Sequence, residues 1–533
     1  HLCCYCNKLQ TQFARHLILK HPNEDKVIEF IHLPPKSEER LDAIAKIRKE
    51  GDFKIFTDAS LNKGVIIPAR RPASPSKAKA EFFATCANCK GVYTKTNLRH
   101  HFAQCTNNEI SVKGVLKKAR ITVDRIHERA SEVLRQKVIP CMKEDAVLRC
   151  IRYDLLIMLY GNDLCLRHRQ PYMHRLIRAN LRLCGRFLIH VKELDPKISD
   201  FSSLYDPSKY YFLLNAIDTF AGVNESTGHY HKAGKATEIA KHINKIGDIY
   251  IGECIFNKEP DKQKQISDFL SLCKKGFSTV TNKTANETLV ARQREKTVEI
   301  PSTVDIMRLC QYLDKLISTN YESLKNKFSY SAWRQLAETV LTRVQVFNRR
   351  RAGEAERLYI SDFNRVQTIK KDDEDFQNLS EEERKAANEY VRVELRGKLN
   401  GCVPILLTRR WQNALKLILN HRKKAGVSSK NLYVFGIDGK TDQSFLSATA
   451  LMRRFSEECS AEKPKTLRGT QLRKHVATRC SQFGFEKTET AHIAKFMGHD
   501  IRIHENIYKQ PVAKTDILGI SRVLEKAQQV QDD

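Results

Sequence analysis

The chain has 533 residues, more than one hydrophobic core usually serves, so two to four domains are expected. Lys and Arg number 92 against 62 Asp and Glu, and the net charge of +30 is spread along the chain rather than gathered in one tail, which points to nucleic acid as the partner. The 16 cysteines are scattered apart from two N-terminal groups that also carry histidines, which argues against a secreted disulfide framework and for a reducing, intracellular compartment. No stretch approaches the ~18 consecutive apolar residues of a membrane span, the nearest being 155–159, so no membrane partner is expected. The chain begins at His1 rather than Met, so a piece of a longer protein is one expectation.

Residues 1–25 contain Cys3, Cys6, His16 and His21 in the spacing Cys-x2-Cys-x9-His-x4-His. Thiolates two residues apart sit on a tight knuckle, and two histidines about one turn apart share a helix face, so four ligands can close around tetrahedral Zn2+. Residues 26–82 read as a linker, ending in the Pro/Ser/Lys-rich stretch 68–80. Residues 83–106 carry a second set, Cys86, Cys89, His101 and Cys105, spaced Cys-x2-Cys-x11-His-x3-Cys, with Tyr93 and Leu98 as its expected small core. His100 competes with His101 for the third ligand position. In modules this short a structural Zn2+ supplies much of the folding free energy, on the order of 10–16 kcal/mol of apparent binding.

A helical connector is expected over 107–150 and a basic-faced helical bundle over 151–295. Leu176, Leu181, Leu183, Cys184, Phe187, Leu188 and Val191 recur at helical steps, interleaved with Arg175, Arg178, Arg182 and Arg186. A further helix is expected from Ala236 to Cys254, with Ile239, Ile243, Ile246, Ile249 and Tyr250 on one side.

An ordered set of motifs follows between 300 and 525. Arg351, Glu354, Leu358 and Asp362 spell Arg-x2-Glu-x3-Leu-x3-Asp at the entry to a short helix. Residues 365–389 are charged, with Ser380 placed to cap a helix toward Glu383. Residues 390–407 alternate as a hairpin with Val391, Val393 and Leu395 on one face, Gly397-Lys398 at its tip and Asn400-Gly401 in the turn. Residues 466–478 run Thr-Leu-Arg-Gly-Thr-Gln-Leu-Arg-Lys-His-Val-Ala-Thr and include Arg473. Gly498-His499 is followed nine residues after the histidine by Tyr508.

This series resembles the tyrosine recombinase (phage integrase) family, whose motifs are a first arginine, a hairpin lysine, a His-x-x-Arg box, a Leu-Gly-His turn and a nucleophilic tyrosine. The resemblance implies a multidomain, mainly α protein: small zinc-finger modules, a helical core-binding bundle, and an α+β catalytic domain over 300–525 with a small hairpin sheet. It implies catalytic roles for Arg351, Lys398, Arg473, His499 and Tyr508, a 3′-phosphotyrosyl intermediate on double-stranded DNA, a homo-multimer on that DNA, and no catalytic metal or ATP. The zinc-finger modules make it similar to Crypton-type eukaryotic mobile elements, which implies a nuclear location. One departure stands out: where the family has a histidine three residues before the second arginine, this chain has Thr470. His475, two residues past Arg473, lies roughly opposite it on a helix and is a poor substitute. A domesticated DNA-binding protein that has lost cleavage is the alternative expectation, and a type IB topoisomerase a weaker one.

Overall fold

The structure is a computed structural model that describes residues 1–533 except 59, 62–65, 70–81, 113, 296–298, 370–373, 398–400, 439–441, 483–486, 499–520, 522–523 and 525–533. It is mainly helical with two small antiparallel sheets, as expected from the sequence. The chain divides into two compact units, residues 1–295 and 296–533. Among the described residues no helix is long and apolar enough to cross a membrane.

The first unit opens with α1 (Phe13–Lys20), α2 (Asp25–Ile31) and α3 (Glu38–Thr57). Much of the expected linker is therefore helical. Val27, Phe30, Ile44 and Ile47 recur at spacings that place them on one side of α2 and α3, and they bury against Cys3, Phe13 and Leu17. Ser37 caps α3 by accepting from the Arg40 N–H. Gly51 is required within α3, because a Cβ there would stand 1.8 Å from the Leu2 carbonyl oxygen. A second module follows: β1 (Phe83–Thr85) pairs antiparallel with β2 (Val92–Thr94), and α4 (Leu98–Cys105) packs Leu98 and Phe102 beneath them.

Helices α5 (Val115–Val123), α6 (Ala146–Tyr153), α7 (Leu155–Arg167), α8 (His174–Leu194), α9 (Tyr210–Ala221), α10 (Ala233–Phe256), α11 (Pro260–Gly276) and α12 (Lys283–Glu295) complete this unit. One continuous core runs from Ala130 to Ala285. The expected stripe on α8 is buried from Leu181 onward, but Leu176, in the first turn, is 43% exposed. It falls on the same helix but precedes the stretch that packs against α6 and α7. Helix α10 extends the expected span by three residues at its start and two at its end, burying Ile239, Ile243 and Ile246, with Gly247 fitted against Leu270 and Tyr205.

The second unit is built on α13 (Thr303–Asn326) and α14 (Tyr330–Asn348), which pack as an antiparallel pair. Short helices α15 (Ala352–Ala355), α16 (Ile360–Phe363) and α17 (Glu374–Gln377) follow, then α18 (Glu381–Glu389). The expected Ser380 cap is present as a full capping box with Glu383. Strands β3 (Tyr390–Arg396) and β4 (Cys402–Thr408) form the expected hairpin, with Val391, Val393 and Leu395 all buried. Among the described residues, helices α19 (Arg409–His421), α20 (Ala448–Glu458), α21 (Gly469–Gln482) and α22 (Lys487–Phe496) follow. Its core is centred on Trp333, Leu336, Val340 and Val393.

Candidate functional site

Helix α14 ends because Arg349 turns into the left-handed region, with φ of +52°. Asn348 then acts like a short strand, donating its amide to the Leu406 carbonyl at 2.8 Å and accepting from the Leu406 N–H at 2.7 Å. These two bonds fasten the end of α14 to β4. They set the three consecutive arginines 349–351 beside the hairpin.

Each of these arginines has a separate environment. Arg351 precedes α15, and its carbonyl accepts from the Glu354 N–H at 2.9 Å. Its Nη1 pairs with Glu354 Oε1 at 3.0 Å, and its Nη2 donates to the Gly498 carbonyl at 3.2 Å. Arg350 is 0% exposed. It donates through Nε to the Pro404 carbonyl on β4 at 3.0 Å and through Nη2 to the same oxygen, and its guanidinium lies 5.0 Å from the centre of the Phe496 ring. Burial pulls its pKa down to about 10, opposed by Glu354. Arg349 is likewise drawn down to about 10 by burial.

Arg473, 3% exposed on α21, donates through Nη1 to the Arg349 carbonyl at 2.8 Å and through Nη2 to the Met497 carbonyl at 3.1 Å. The first and second arginines of the sequence motif therefore hold adjacent carbonyls, Gly498 and Met497, of the turn that closes α22. Gly498 has φ of +65°, and a Cβ there would stand 3.4 Å from both Arg350 Nη1 and Arg351 Nη1, so glycine meets both the backbone and the close approach. Arg351 pairs with the buried carboxylate of Glu354, whose charge also acts on Arg350, while Arg473 and Arg351 push the Arg350 value down, so positive charge accumulates at this turn.

Thr470 lies exposed in the first turn of α21. Among the described residues His475 has both ring nitrogens buried without a hydrogen-bond partner, and burial, reinforced by Arg349 and Arg479, lowers its pKa to about 4. His475 is thus neutral near pH 7 and does not replace the missing histidine as a charged donor. Lys398, His499 and Tyr508 lie outside the described residues. Sequence reasoning missed Arg350. The run Arg349-Arg350-Arg351 was itself the signal, since three neighbouring cations in one short connection are costly unless each has its own acceptor.

Both N-terminal ligand sets are assembled. The ligand atoms of Cys3, Cys6, His16 and His21 lie within 4.8 Å of one another, and so do those of Cys86, Cys89, His101 and Cys105. His101, not the exposed His100, belongs to the second set. The same knuckle recurs in both: Asn7 and Lys90 have positive φ, and their N–H groups donate to the Cys3 and Cys86 carbonyls, each at 2.9 Å. Tetrahedral ligands bonded to an ion of zinc's size stand roughly 3.3–3.8 Å apart. Cys6 Sγ to His16 Nε2 is 3.4 Å and Cys89 Sγ to His101 Nε2 is 3.2 Å. His21 Nε2 is buried with no partner among the described residues, as a ligand nitrogen awaiting an ion would be. The hydrogen bond between the two thiols, followed by burial, pushes Cys86 up, and the same hydrogen bond brings Cys89 down to about 3, in the thiolate form a metal requires. These residues fit a metal ion.

A cavity of about 960 Å³ in the first unit, lined by Phe56, Phe83, Leu116, Arg120, Ile139 and Leu148 among others, includes none of the motif residues.

No protein-family model and no curated protein sequence matches the chain. Among solved structures, the XerH site-specific recombinase bound to palindromic difH substrate, a post-cleavage complex, aligns with a TM-score of 0.42 at 14% identity, over 77% of this chain and 94% of that one. A pre-cleavage complex of XerH bound to difH substrate aligns with a TM-score of 0.28 at 18% identity, over 50% of this chain and 70% of that one.

Proposed function

We propose that the chain cuts and rejoins double-stranded DNA through Tyr508, with the second unit as its catalytic domain. The observation that carries this reading is the convergence of Arg351 and Arg473 on the Met497–Gly498 turn, which leads directly into His499. Two guanidiniums fixed there can grip the non-bridging oxygens of a phosphodiester through charge-assisted hydrogen bonds, which strengthen as negative charge builds during attack. The Tyr508 phenol gives up its proton to water and its oxygen forms a bond to phosphorus while the bond to the 5′ oxygen breaks. Lys398 donates the proton that the departing 5′ oxygen takes up, and His499 donates a hydrogen bond to the phosphate. The phosphotyrosyl bond retains the energy for resealing, so the free 5′ hydroxyl reverses the step without ATP.

The two N-terminal modules hold structural Zn2+ in this reading, through Cys3, Cys6, His16 and His21 and through Cys86, Cys89, His101 and Cys105. The metal fixes the two small folds and takes no part in the chemistry. The bundle of 151–295 grips DNA through exposed arginines such as Arg175 and Arg186, whereas Arg182 is occupied by Asp145 at 2.6 Å. The working form is a homo-multimer on DNA, located in the nucleus.

A second reading, a DNA-binding regulator without cleavage, is favoured by Thr470 alone. Loss of one positioned acid or base lowers a rate by about 10²–10⁴-fold. One experiment separates the two. Single-turnover cleavage of a nicked duplex is measured for wild type, Arg351→Ala, Arg473→Ala and Thr470→His. The recombinase reading expects each alanine variant to fall by about 10²-fold or more and Thr470→His to rise, with DNA affinity little changed. Binding without cleavage in all four proteins supports the regulator.

A further inference from the structure

Arg350 belongs to no recognised motif, yet it touches both the hairpin and the end of α22. Its backbone adjoins Arg351. Its Nε and Nη2 both donate to the Pro404 carbonyl on β4, the strand that returns from the hairpin tip where Lys398 stands in the sequence. Its guanidinium packs on Phe496, the last residue of α22, and its Nη1 faces the Gly498 position. That Nη1 is buried with no hydrogen-bond partner among the described residues.

A buried guanidinium whose hydrogen bonds go to a backbone carbonyl rather than to a carboxylate is a poor choice for stability, since an apolar side chain of similar volume serves a core at least as well. Its geometry offers something an apolar residue lacks. A planar cation can fix a carbonyl on one edge and stack on a ring with its face, so it sets the distance between two elements as well as filling the space between them. Because Arg350 is 0% exposed, it makes this link without reaching DNA.

We propose that Arg350 is a positioning residue that locks β4 of the hairpin to the 496–498 turn, so that these two elements keep a fixed separation beside Arg351 and Arg473. This rests on the reading of the second unit as a DNA-cleaving domain. Arg350 acts through β4 and the 496–498 turn, and its loss leaves the phosphate-gripping arginines in place but lets the two elements drift. Small displacements of this kind cost about 10²-fold in rate without a matching loss of affinity.

The test uses the full chain as wild type, Arg350→Met, Arg350→Lys and Tyr508→Phe. DNA affinity and the single-turnover rate at saturating protein are measured on a nicked duplex, and amide exchange is followed in segments 402–408, 493–498 and 409–421. Arg350→Met is expected to bind DNA within about threefold of wild type and to cleave about 10²-fold more slowly once bound. Arg350→Lys, which can still reach the Pro404 carbonyl, is expected to recover part of the rate. Segments 402–408 and 493–498 should exchange faster together in Arg350→Met, with 409–421 unchanged. A wild-type rate in bound Arg350→Met overturns the proposal, as does a loss of rate that only follows affinity. If Arg350→Met does not fold, Arg350→Lys decides by the same comparison of bound rate and affinity. If wild type forms no adduct that depends on Tyr508, the cleavage reading fails, and the exchange data judge the link by themselves. Coupled loosening then sustains it, and unchanged exchange refutes it.

Discussion

At the scale of single residues, position along the backbone separates three adjacent arginines into three tasks. Arg349 ends a helix, Arg350 bridges the hairpin and the 496–498 turn, and Arg351 holds Glu354 and Gly498. Residue-scale chemistry also sets a pH response. Burial lowers His242 in α10 to about 4, with Glu238 opposing and Lys235, Lys241 and Lys245 reinforcing, and His475 in α21 falls to about 4 as well. Their folded values lie below the ordinary 6.5, so the unfolded chain takes up protons first as pH falls. Their contribution to stability is therefore intact above pH 6.5 and is lost as pH drops toward 4. The melting temperature is expected to decline across that window, and His242→Gln to flatten the slope of the first unit's transition in scans from pH 7 to pH 4.5. An unchanged slope would show that His242 does not titrate differently on folding. Arg351 was readable as a candidate from its local spacing to glutamate, leucine and aspartate, and Arg473 from the 466–478 box. Arg350 was not, because its partners Pro404 and Phe496 are far along the chain and only folding brings them together.

At the scale of elements, legibility followed the strength of the local pattern. The hairpin of β3 and β4 was readable from strict alternation, since a one-residue slip would turn Val391, Val393 and Leu395 out of the core. Helix α18 was readable from its capping pair. Helices α2 and α3 were hidden: charged residues between their apolar positions resemble a linker until Val27, Phe30, Ile44 and Ile47 find the core of the first module. That packing yields a prediction for metal removal. Both modules have small cores, so chelation is expected to unfold residues 1–57 and 83–105, α2 and α3 included, while the second unit keeps its own transition. Limited proteolysis with and without chelator measures this. Protection of α3 after complete metal loss would mean that its packing, not the ion, maintains the module.

At the scale of the whole molecule, 92 cationic side chains against 62 anionic ones create a field that attracts polyanions over long range, and the chain is built as two compact units. The first is read as carrying metal-held modules and a helical bundle that hold the duplex. The second brings Arg350, Arg351 and Arg473 together at the 496–498 turn. In the proposed reading charge supplies affinity and the convergence of guanidiniums on one turn supplies a reaction, and Tyr508 is where the two part. The most direct measurement is covalent trapping: the full chain is incubated with a nicked random-sequence duplex library and quenched in detergent, with Tyr508→Phe alongside. The account predicts a detergent-resistant protein–DNA adduct in wild type that is absent in Tyr508→Phe, and sequencing the trapped DNA then gives the target. Equal DNA binding by both proteins with no adduct in either contradicts it and leaves the chain a DNA-binding protein that retains the arrangement without the reaction.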